Sequence, residues 1–386
     1  MAIELLRGEV VGESVEGSLD VGAGRPPACP RIVVPSASPA RERLVNGAPA
    51  GILDVMPNRL AVPSRLARRP VRGQRLGARI LVLGDLTLDV VLSPARTIES
   101  GTDVPGTVRL RQGGSAATAA AWMGRLGAQV QLVCSVGRDG PGRALVEAIH
   151  GDGVVVRARR VAGRPTGRIG VVVAADGERS FVADRGAADE LGAADLRASW
   201  FAALELLHLP LYSLLGEPLG TAGREAIRLA RSAGALVSLD LASVGPLLAN
   251  GRPAALALVR SVAPDVLLTT AGELSALLDS PNRAVLGARA LGLAPIVIVK
   301  RGGNGATVHL LDAAGASITF DVATKQLAAA DTTGAGDAFD AGFLIAYVEG
   351  RRSGRSTPAG LRRAVLAGHR AAARQLSGPR AELDLH

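Results

Sequence analysis

From Arg79 onward, short apolar runs alternate with segments whose apolar residues recur every three or four positions. The runs "RILVLG" (79–84), "VQLVCSVG" (130–137), "ALVSLD" (235–240), "DVLLTT" (265–270) and "PIVIVK" (295–300) read as buried strands. Between them "GSAATAAAWMGRLGA" (114–128), stretches near 218–234 and 247–260, and two shorter segments before Pro295 read as helices. Strands separated by helices predict an α/β domain with a mainly parallel sheet covered on both faces. Residues 154–186 break the rhythm: "VVVRARRVAGRPTGRIGVVVAADGERSFVADRG" reads as three strands, two of them joined by a turn at Asp176-Gly177. Its alternation of apolar and polar positions belongs to a sheet wet on one face. A small antiparallel flap of that kind, beside the main domain, would cover a site.

Residues 1–77 show no sustained period of 2 or 3.6 and hold nine of the 22 prolines. They predict a poorly ordered Pro/Arg-rich extension ahead of a domain over 78–386. The net charge of +9 adds little, because +4 of it falls in that extension. The sharpest basic cluster, "RLARRPVRGQRLGAR" (65–79), has no aromatic to stack on bases, and no nucleic-acid partner is expected. Aromatic residues make up 2% of the chain, so the core must be mostly Ala, Val, Leu and Ile. No apolar run approaches the roughly 18 residues that span a bilayer. The amino terminus "MAIELLRGEVVGESVEGSLD" carries acids where a signal peptide needs an apolar segment. A cytoplasmic protein without a membrane partner is expected. Two cysteines, Cys29 and Cys134, are too few for a disulfide framework, and Cys134 reads as a buried thiol.

Ligands of doubly wound sheets gather beyond the carboxyl ends of the strands, so the residues just past each strand carry the chemistry. After "RILVLG" come Asp85 and Asp89, either of which can accept hydrogen bonds from vicinal sugar hydroxyls or serve as a turn acid. "RQGGSAAT" opens a helix with Gly113 and Gly114, which let a ligand approach the backbone or simply make a tight turn. "DTTGAGDAFDAGFL" (331–344) is the richest stretch. Gly334, Ala335 and Gly336 leave room for a phosphate, their amides at a helix start can form an anion hole, and Asp337 stands in the first turn. Asp337 is placed to take a proton from a hydroxyl nucleophile, although a helix cap looks the same in isolation. "GGSAA" is not a G-x-S-x-G nucleophile elbow, which disfavours Ser115 as a hydrolase nucleophile, and no Walker A motif occurs.

"DTTGAGDAFDAGFL" resembles the carboxy-terminal signature of the PfkB carbohydrate kinases, the ribokinase-like family, and "GGSAATAAAWMGRLGA" resembles the family's glycine-pair motif. The resemblance covers roughly Arg79 to the end. It implies a three-layer α/β/α ribokinase-like fold with a small β-sheet lid, formed by about 154–186 with part of 90–112. It further implies transfer of the ATP γ-phosphoryl group to a hydroxymethyl group of a sugar or nucleoside, with Mg2+, and it leaves room for a homodimer through the lid. Asp337 becomes the general base and Gly334, Ala335 and Gly336 the anion hole. Asp89, Gly113, Gly114 and Thr118 fall around the acceptor. In "VKRGGNGA", Lys300, Gly302 and Gly305 match a nucleotide-binding turn, and His369 falls at the adenine pocket.

Three departures qualify the match. The family's magnesium motif Asn-x-x-Glu appears as Thr270-Ala271-Gly272-Glu273, keeping Glu273 as the metal-directed carboxylate. Thr118 stands where asparagine is common, and one hydroxyl cannot supply an amide's separate donor and acceptor, which argues against a standard ribose pose. Asp340 also replaces a common asparagine and, three residues past Asp337, would raise the base's pKa if both are buried. Thr118 and Thr270 also motivate the alternative of a catalytically silent sugar- or nucleotide-sensing protein, which ADP formation from Mg·ATP would exclude.

Overall fold

The computed structural model describes residues 77–174, 179–312, 314–327, 329, 331–354, 357–378 and 381–385. Residues 1–76 of the expected extension, and the turn at Asp176-Gly177, lie outside the described residues. In chain order the strands are β1 (Arg79–Leu83), β2 (Thr87–Pro94), β3 (Gly106–Gly113), β4 (Gln129–Gly137), β5 (Val155–Val161), β6 (Arg168–Val173) and β7 (Arg179–Asp184). They continue with β8 (Leu206–Pro210), β9 (Leu236–Asp240), β10 (Val266–Thr270), β11 (Ile296–Lys300), β12 (Ala306–Leu311) and β13 (Ser317–Val322). The helices are α1 (Ser115–Arg125), α2 (Gly140–Gly151), α3 (Leu219–Ser232), α4 (Val244–Leu248), α5 (Arg252–Val262), α6 (Ala271–Leu278), α7 (Arg283–Ala290), α8 (Ala335–Arg352) and α9 (Pro358–Ser377).

Nine strands form one sheet in the order β13-β12-β11-β10-β9-β8-β1-β4-β5, parallel from β5 through β11, with β12 and β13 added antiparallel at the far edge. Successive residues of its inner strands point to opposite faces and both faces are covered, which is why these strands read as unbroken apolar runs. Val82, Leu132, Leu268 and Ile298 pack with α1, α2, α8 and α9. Leu83, Val133, Leu239 and Val299 pack with α3, α5, α6 and α7 on the other side. Helices therefore sandwich the sheet in three layers. Cys134 is buried within it, and burial pushes its thiol up to about 12, so it is chemically inert at neutral pH.

The second sheet has the order β3-β2-β6-β7. Here the structure departs from the alternation pattern in two ways. β5, which reads as a flap strand, instead pairs parallel with β4 at the edge of the main sheet. An edge strand is half-exposed like a flap strand, so its alternation carries the same signature. The lid takes β2 and β3 in its place, and it is mixed: β2 pairs antiparallel with β3 but parallel with β6. Register puts Asp89 directly opposite Arg111, while β7 carries Arg179 on the same face as both.

Candidate active site

Several chain segments end at one place, the carboxyl edge of the parallel strands. β1 runs into Asp85, β9 ends at Asp240, β10 runs into α6 and β11 ends at Lys300. β3 ends at Gly113 and passes through Gly114 into α1. α8 starts there too, from Gly334, whose φ of 75° and ψ of 0° is left-handed backbone that favours glycine.

The start of α8 leaves amides unpaired by helix geometry. Ala335 spends its amide on the Thr332 carbonyl at 3.2 Å, whereas the Gly336 amide has no partner among the described residues. Asp337 follows in the first turn, half-buried, and Ser115 Oγ donates to its Oδ1 at 2.5 Å across 222 residues of sequence. Burial raises the Asp337 carboxyl to about 7, with Asp240 and Asp85 adding to the rise and Ser115 and Lys300 opposing it.

Beneath Gly336 lies a charged cluster. Lys300 Nζ sits 3.1 Å from Asp240 Oδ1 and 3.1 Å from each oxygen of Asp340. Burial works against its ammonium, yet Asp240 and Asp340 together hold it above the ordinary lysine range. Lys300 thus points under the anion-hole turn, and the rise in Asp337 comes from burial, Asp240 and Asp85, with Asp340 turned to the lysine. His208 of β8, hydrogen-bonded to Ser238 at 3.0 Å, is pushed down to about 4 by burial and stays neutral.

At the mouth of β3, a Cβ added to Gly113 would meet Asp89 Oδ1 at 1.7 Å, so a larger residue there would displace the aspartate. Asp89 is 7% exposed and takes a long hydrogen bond from Thr87 Oγ1 at 3.4 Å. Asp85 has the turn role, its carboxylate accepting the Ala116 amide at 3.2 Å and its carbonyl the Ala117 amide at 3.2 Å, so it caps α1. Thr118, one turn into α1, accepts a long bond from Gln112 Nε2 at 3.4 Å. It faces Gly334, where an added Cβ would lie 3.1 Å from Thr118 Cγ2, so it borders the anion-hole turn as well as the acceptor end.

The two outer strands of the lid both reach Asp331, three residues before Gly334. Arg111 of β3 pairs with Asp331 Oδ2 at 2.8 Å, and Arg179 of β7 with Oδ1 at 3.1 Å and with the Thr332 hydroxyl at 3.0 Å. Gln375 of α9 holds the next carbonyl, that of Thr333, at 2.8 Å. Lid and anion-hole turn are joined through one carboxylate.

On the opposite side, an open trench of about 650 Å³ runs between Thr270–Gly272 and Lys300–Asn304, and it includes Gly302. Gly305, with a φ of 82°, closes the turn behind it. A second groove of about 530 Å³ is lined by Thr324, Leu327, Leu366, His369 and Arg370. His369 packs on Phe339 at 5.3 Å, and both its ring nitrogens are buried without a partner among the described residues. Glu273 forms a capping box at the start of α6, accepting the Thr270 amide at 2.8 Å while Thr270 Oγ1 accepts the Glu273 amide at 3.2 Å. One of its oxygens is thereby occupied, and no group of three or more His, Cys, Asp or Glu among the described residues forms a metal cage. This donor set fits a hard cation that arrives with phosphates and is touched through water.

Sequence reasoning singled out Asp337, Gly334, Gly336 and the Lys300–Asn304 turn, and the structure places them together at the carboxyl edge of the sheet. The same reasoning passed over Asp240, although the rule that selected Asp85 and Asp89, an acid at a strand mouth, selects Asp240 as well. Arg111 and Arg179 had no local signal, because only sheet register brings them to one face, where both reach Asp331.

The match to the pfkB family carbohydrate kinase domain spans residues 78–384. Fructokinase-1 of Zea mays is 30% identical over 280 residues, covering 70% of this chain and 83% of that protein. The adenosine kinase of Sinorhizobium meliloti superposes with a TM-score of 0.67 at 24% identity, covering 80% of this chain and 97% of that one. A putative ribokinase II of E. coli, solved with ATP and Mg2+, superposes with a TM-score of 0.65 at 21% identity over 78% of this chain and 94% of that one.

Proposed function

The chain belongs to the pfkB family of carbohydrate kinases, phosphotransferases with an alcohol group as acceptor and a ribokinase-like fold, and from that premise we propose a specific division of labour in its cleft. Asp337 removes the proton from a hydroxymethyl group of a sugar or nucleoside as that oxygen attacks the γ-phosphoryl of ATP. The amides of Gly334 and Gly336 receive the equatorial oxygens of the transferring group, where developing charge is best stabilised by fixed donors; Ala335, expected to join them, keeps its amide on the Thr332 carbonyl and holds the turn instead. Asp89 accepts hydrogen bonds from acceptor hydroxyls, Gly113 and Gly114 let the acceptor reach the backbone, and Thr118 borders the same end. Lys300, Gly302 and Gly305 shape the phosphate end of the nucleotide trench, and His369 lines the groove for the base. Glu273 is the residue that would hold Mg2+ at one remove, and the ion would supply positive charge against the phosphates.

The observation that carries this reading is Asp337 at a helix start, already holding an O–H donor at 2.5 Å on Oδ1, and with its carboxyl raised to about 7. A general base works best when its pKa lies near the operating pH. The lid is read as closing on the acceptor, since exclusion of water protects the transferring group. Val108 and Val182, 61% and 72% exposed on the lid face opposite Asp89, support a homodimer through that sheet. No helix among the described residues is long and apolar enough to cross a membrane; a cytoplasmic site of action is part of the proposal. The test is ADP formation from Mg·ATP across a panel of ketoses, aldoses, sugar acids and nucleosides. Acceptor-dependent ADP is the expected result, and its absence across the whole panel would sink the reading.

A further inference from the structure

Three carboxylates crowd one ammonium under the anion-hole turn. Lys300 Nζ lies 3.1 Å from Asp240 Oδ1 and from both oxygens of Asp340, and a Cβ added to Gly336 would lie 3.6 Å from the same nitrogen. Asp340 is 0% exposed and Asp240 3%. Asp337 stands three residues before Asp340 on α8, close to the same helix face. If all three acids were ionised, the cluster would hold two uncompensated negative charges away from water. A buried site relieves such a load by taking up a proton.

The groups around Asp340 show where that proton goes. The charges that face it are Asp337 from its own helix, Asp240 from the end of β9 and Lys300 from the end of β11. Glu273 of α6 and the neutral His208 of β8 act on the same lysine pair, and Asp85 and the Ser115 hydroxyl face Asp337. Asp85 is balanced by Arg185 at 3.6 Å, which leaves Lys300 as the cation that Asp240 and Asp340 share. Asp337 opens onto the cleft and keeps part of its hydration, whereas Asp340 has none, so Asp340 is the acid that ionises least readily. Burial first, and the charge of Asp240 after it, holds the Asp340 carboxyl well above the usual carboxylate range.

We infer that Asp340 works as a neutral carboxylic acid, bearing the proton that balances the cluster and leaving Asp337 as the only unbalanced charge beside the anion hole. A protonated carboxyl offers one O–H donor and acceptor oxygens, the same pair of roles that an amide offers. Asp340 can therefore stand where the resembling kinases carry asparagine without adding negative charge. With the proton in place, Lys300 and Asp240 balance one to one, and phosphoryl oxygens above Gly336 meet amides over a neutral floor. Loss of the proton puts a second negative charge under that floor, where it repels phosphate. Asp340 is thus a positioning residue for the base and the anion hole. Its effect on turnover rests on the phosphotransfer reading; its protonation does not.

Infrared spectroscopy tests the state directly, through the carbonyl stretch of a protonated carboxyl group and its shift in heavy water. At about pH 8, above the titration of Asp337 near 7, the native protein should show this band, Asp337→Asn should keep it and Asp340→Asn should lose it. A native protein without the band, or a band that survives in Asp340→Asn, would overturn the inference. Asp340→Ala serves for the spectral subtraction if the asparagine protein does not fold. The functional arm compares turnover of the two variants at neutral pH: asparagine, which keeps donor and acceptor, should retain at least about tenfold more than alanine, roughly one buried hydrogen-bonded partner's worth. Equal turnover in the two would remove the amide-like role. Failure of the native protein to form ADP with any acceptor would sink the kinase reading alone and leave the infrared result to be judged by itself.

Discussion

In the nine-stranded sheet Leu132, Leu207 and Ile298 are completely buried, whereas in the four-stranded lid Val108, Phe181 and Val182 remain 61%, 59% and 72% exposed. The large sheet is fixed by burial on both faces, each fully enclosed Leu or Ile contributing roughly 1.5–3 kcal/mol. The lid buries fewer apolar side chains, Leu88, Val91 and Val171 among them, and it holds the anion-hole turn by an ion-pair bridge from Arg111 and Arg179 to a single half-exposed Asp331. The division places the groups whose geometry must not move, Asp337, Lys300 and Asp240, on elements that cannot easily move. The lid, which carries Asp89, is the part we propose to gain burial when an acceptor arrives, as low-stability elements of binding sites commonly do.

The comparison breaks first at the joint between the two sheets. Gly113→Ala forces a methyl group onto Asp89, where the free space is 1.7 Å. It should lower kcat/KM for the acceptor by at least about 10², the order of loss expected from a displacement of about 1 Å at a reacting centre. Steady-state kinetics against acceptor at saturating nucleotide reads this, and near-native kinetics would mean that Asp89 does not hold the acceptor. Asp331→Asn is milder, because the pairs it weakens are partly exposed. It should raise acceptor KM about tenfold and speed hydrogen exchange in β7, with exchange in β1 and β4 unchanged. Faster exchange in the large sheet would show that the two regions are not separately stabilised.

How much of this division was legible in the chain depends on how local each feature is. Asp337 and its glycines were legible because a helix start, its left-handed Gly334 and an acid in its first turn occupy four consecutive positions. The Lys300 cluster was hidden because its members come from three elements, with 60 residues between Lys300 and Asp240 and 40 between Lys300 and Asp340. β5 was assigned to the flap because an edge strand of a large sheet and a strand of a small one alternate alike. β8 escaped because "LLHLP" carries a histidine and a proline, and both are buried only through the neighbouring strands β1 and β9. Asp85 and Asp89 looked equivalent at the strand mouth until the backbone showed one capping α1 and the other facing Gly113.

Two smaller effects sharpen the comparison. Thr118→Asn restores an amide at the acceptor end and should change the ranking of acceptors a few-fold, roughly the value of one neutral hydrogen bond, while nucleotide affinity stays within about twofold. An equal change in both would place Thr118 with the anion-hole turn that it also borders. Smallest of all should be removal of the segment before Gly77, since the domain over 78–386 carries every strand and helix described. A chain beginning there is expected to match the full chain in thermal midpoint and turnover within about twofold, and an insoluble or inactive shortened protein would make the extension an integral part.

The central claim is that Asp337 is the base, and Asp337→Asn tests it most directly when turnover and thermal midpoint are measured together. Asparagine keeps the size and the capping ability of aspartate but cannot take a proton. In the native protein Asp337 must be ionised to act, so kcat/KM should rise with pH through about 7. The same raised pKa favours the folded state while the carboxyl is protonated; that contribution is complete below the ordinary carboxylate range, about 4, and lost as pH climbs through 7. The account predicts that Asp337→Asn loses at least about 10² in turnover, with its thermal midpoint unchanged in mild acid and equal to or above the native value in mild alkali. An Asp337→Asn protein that turns over at the native rate would contradict it.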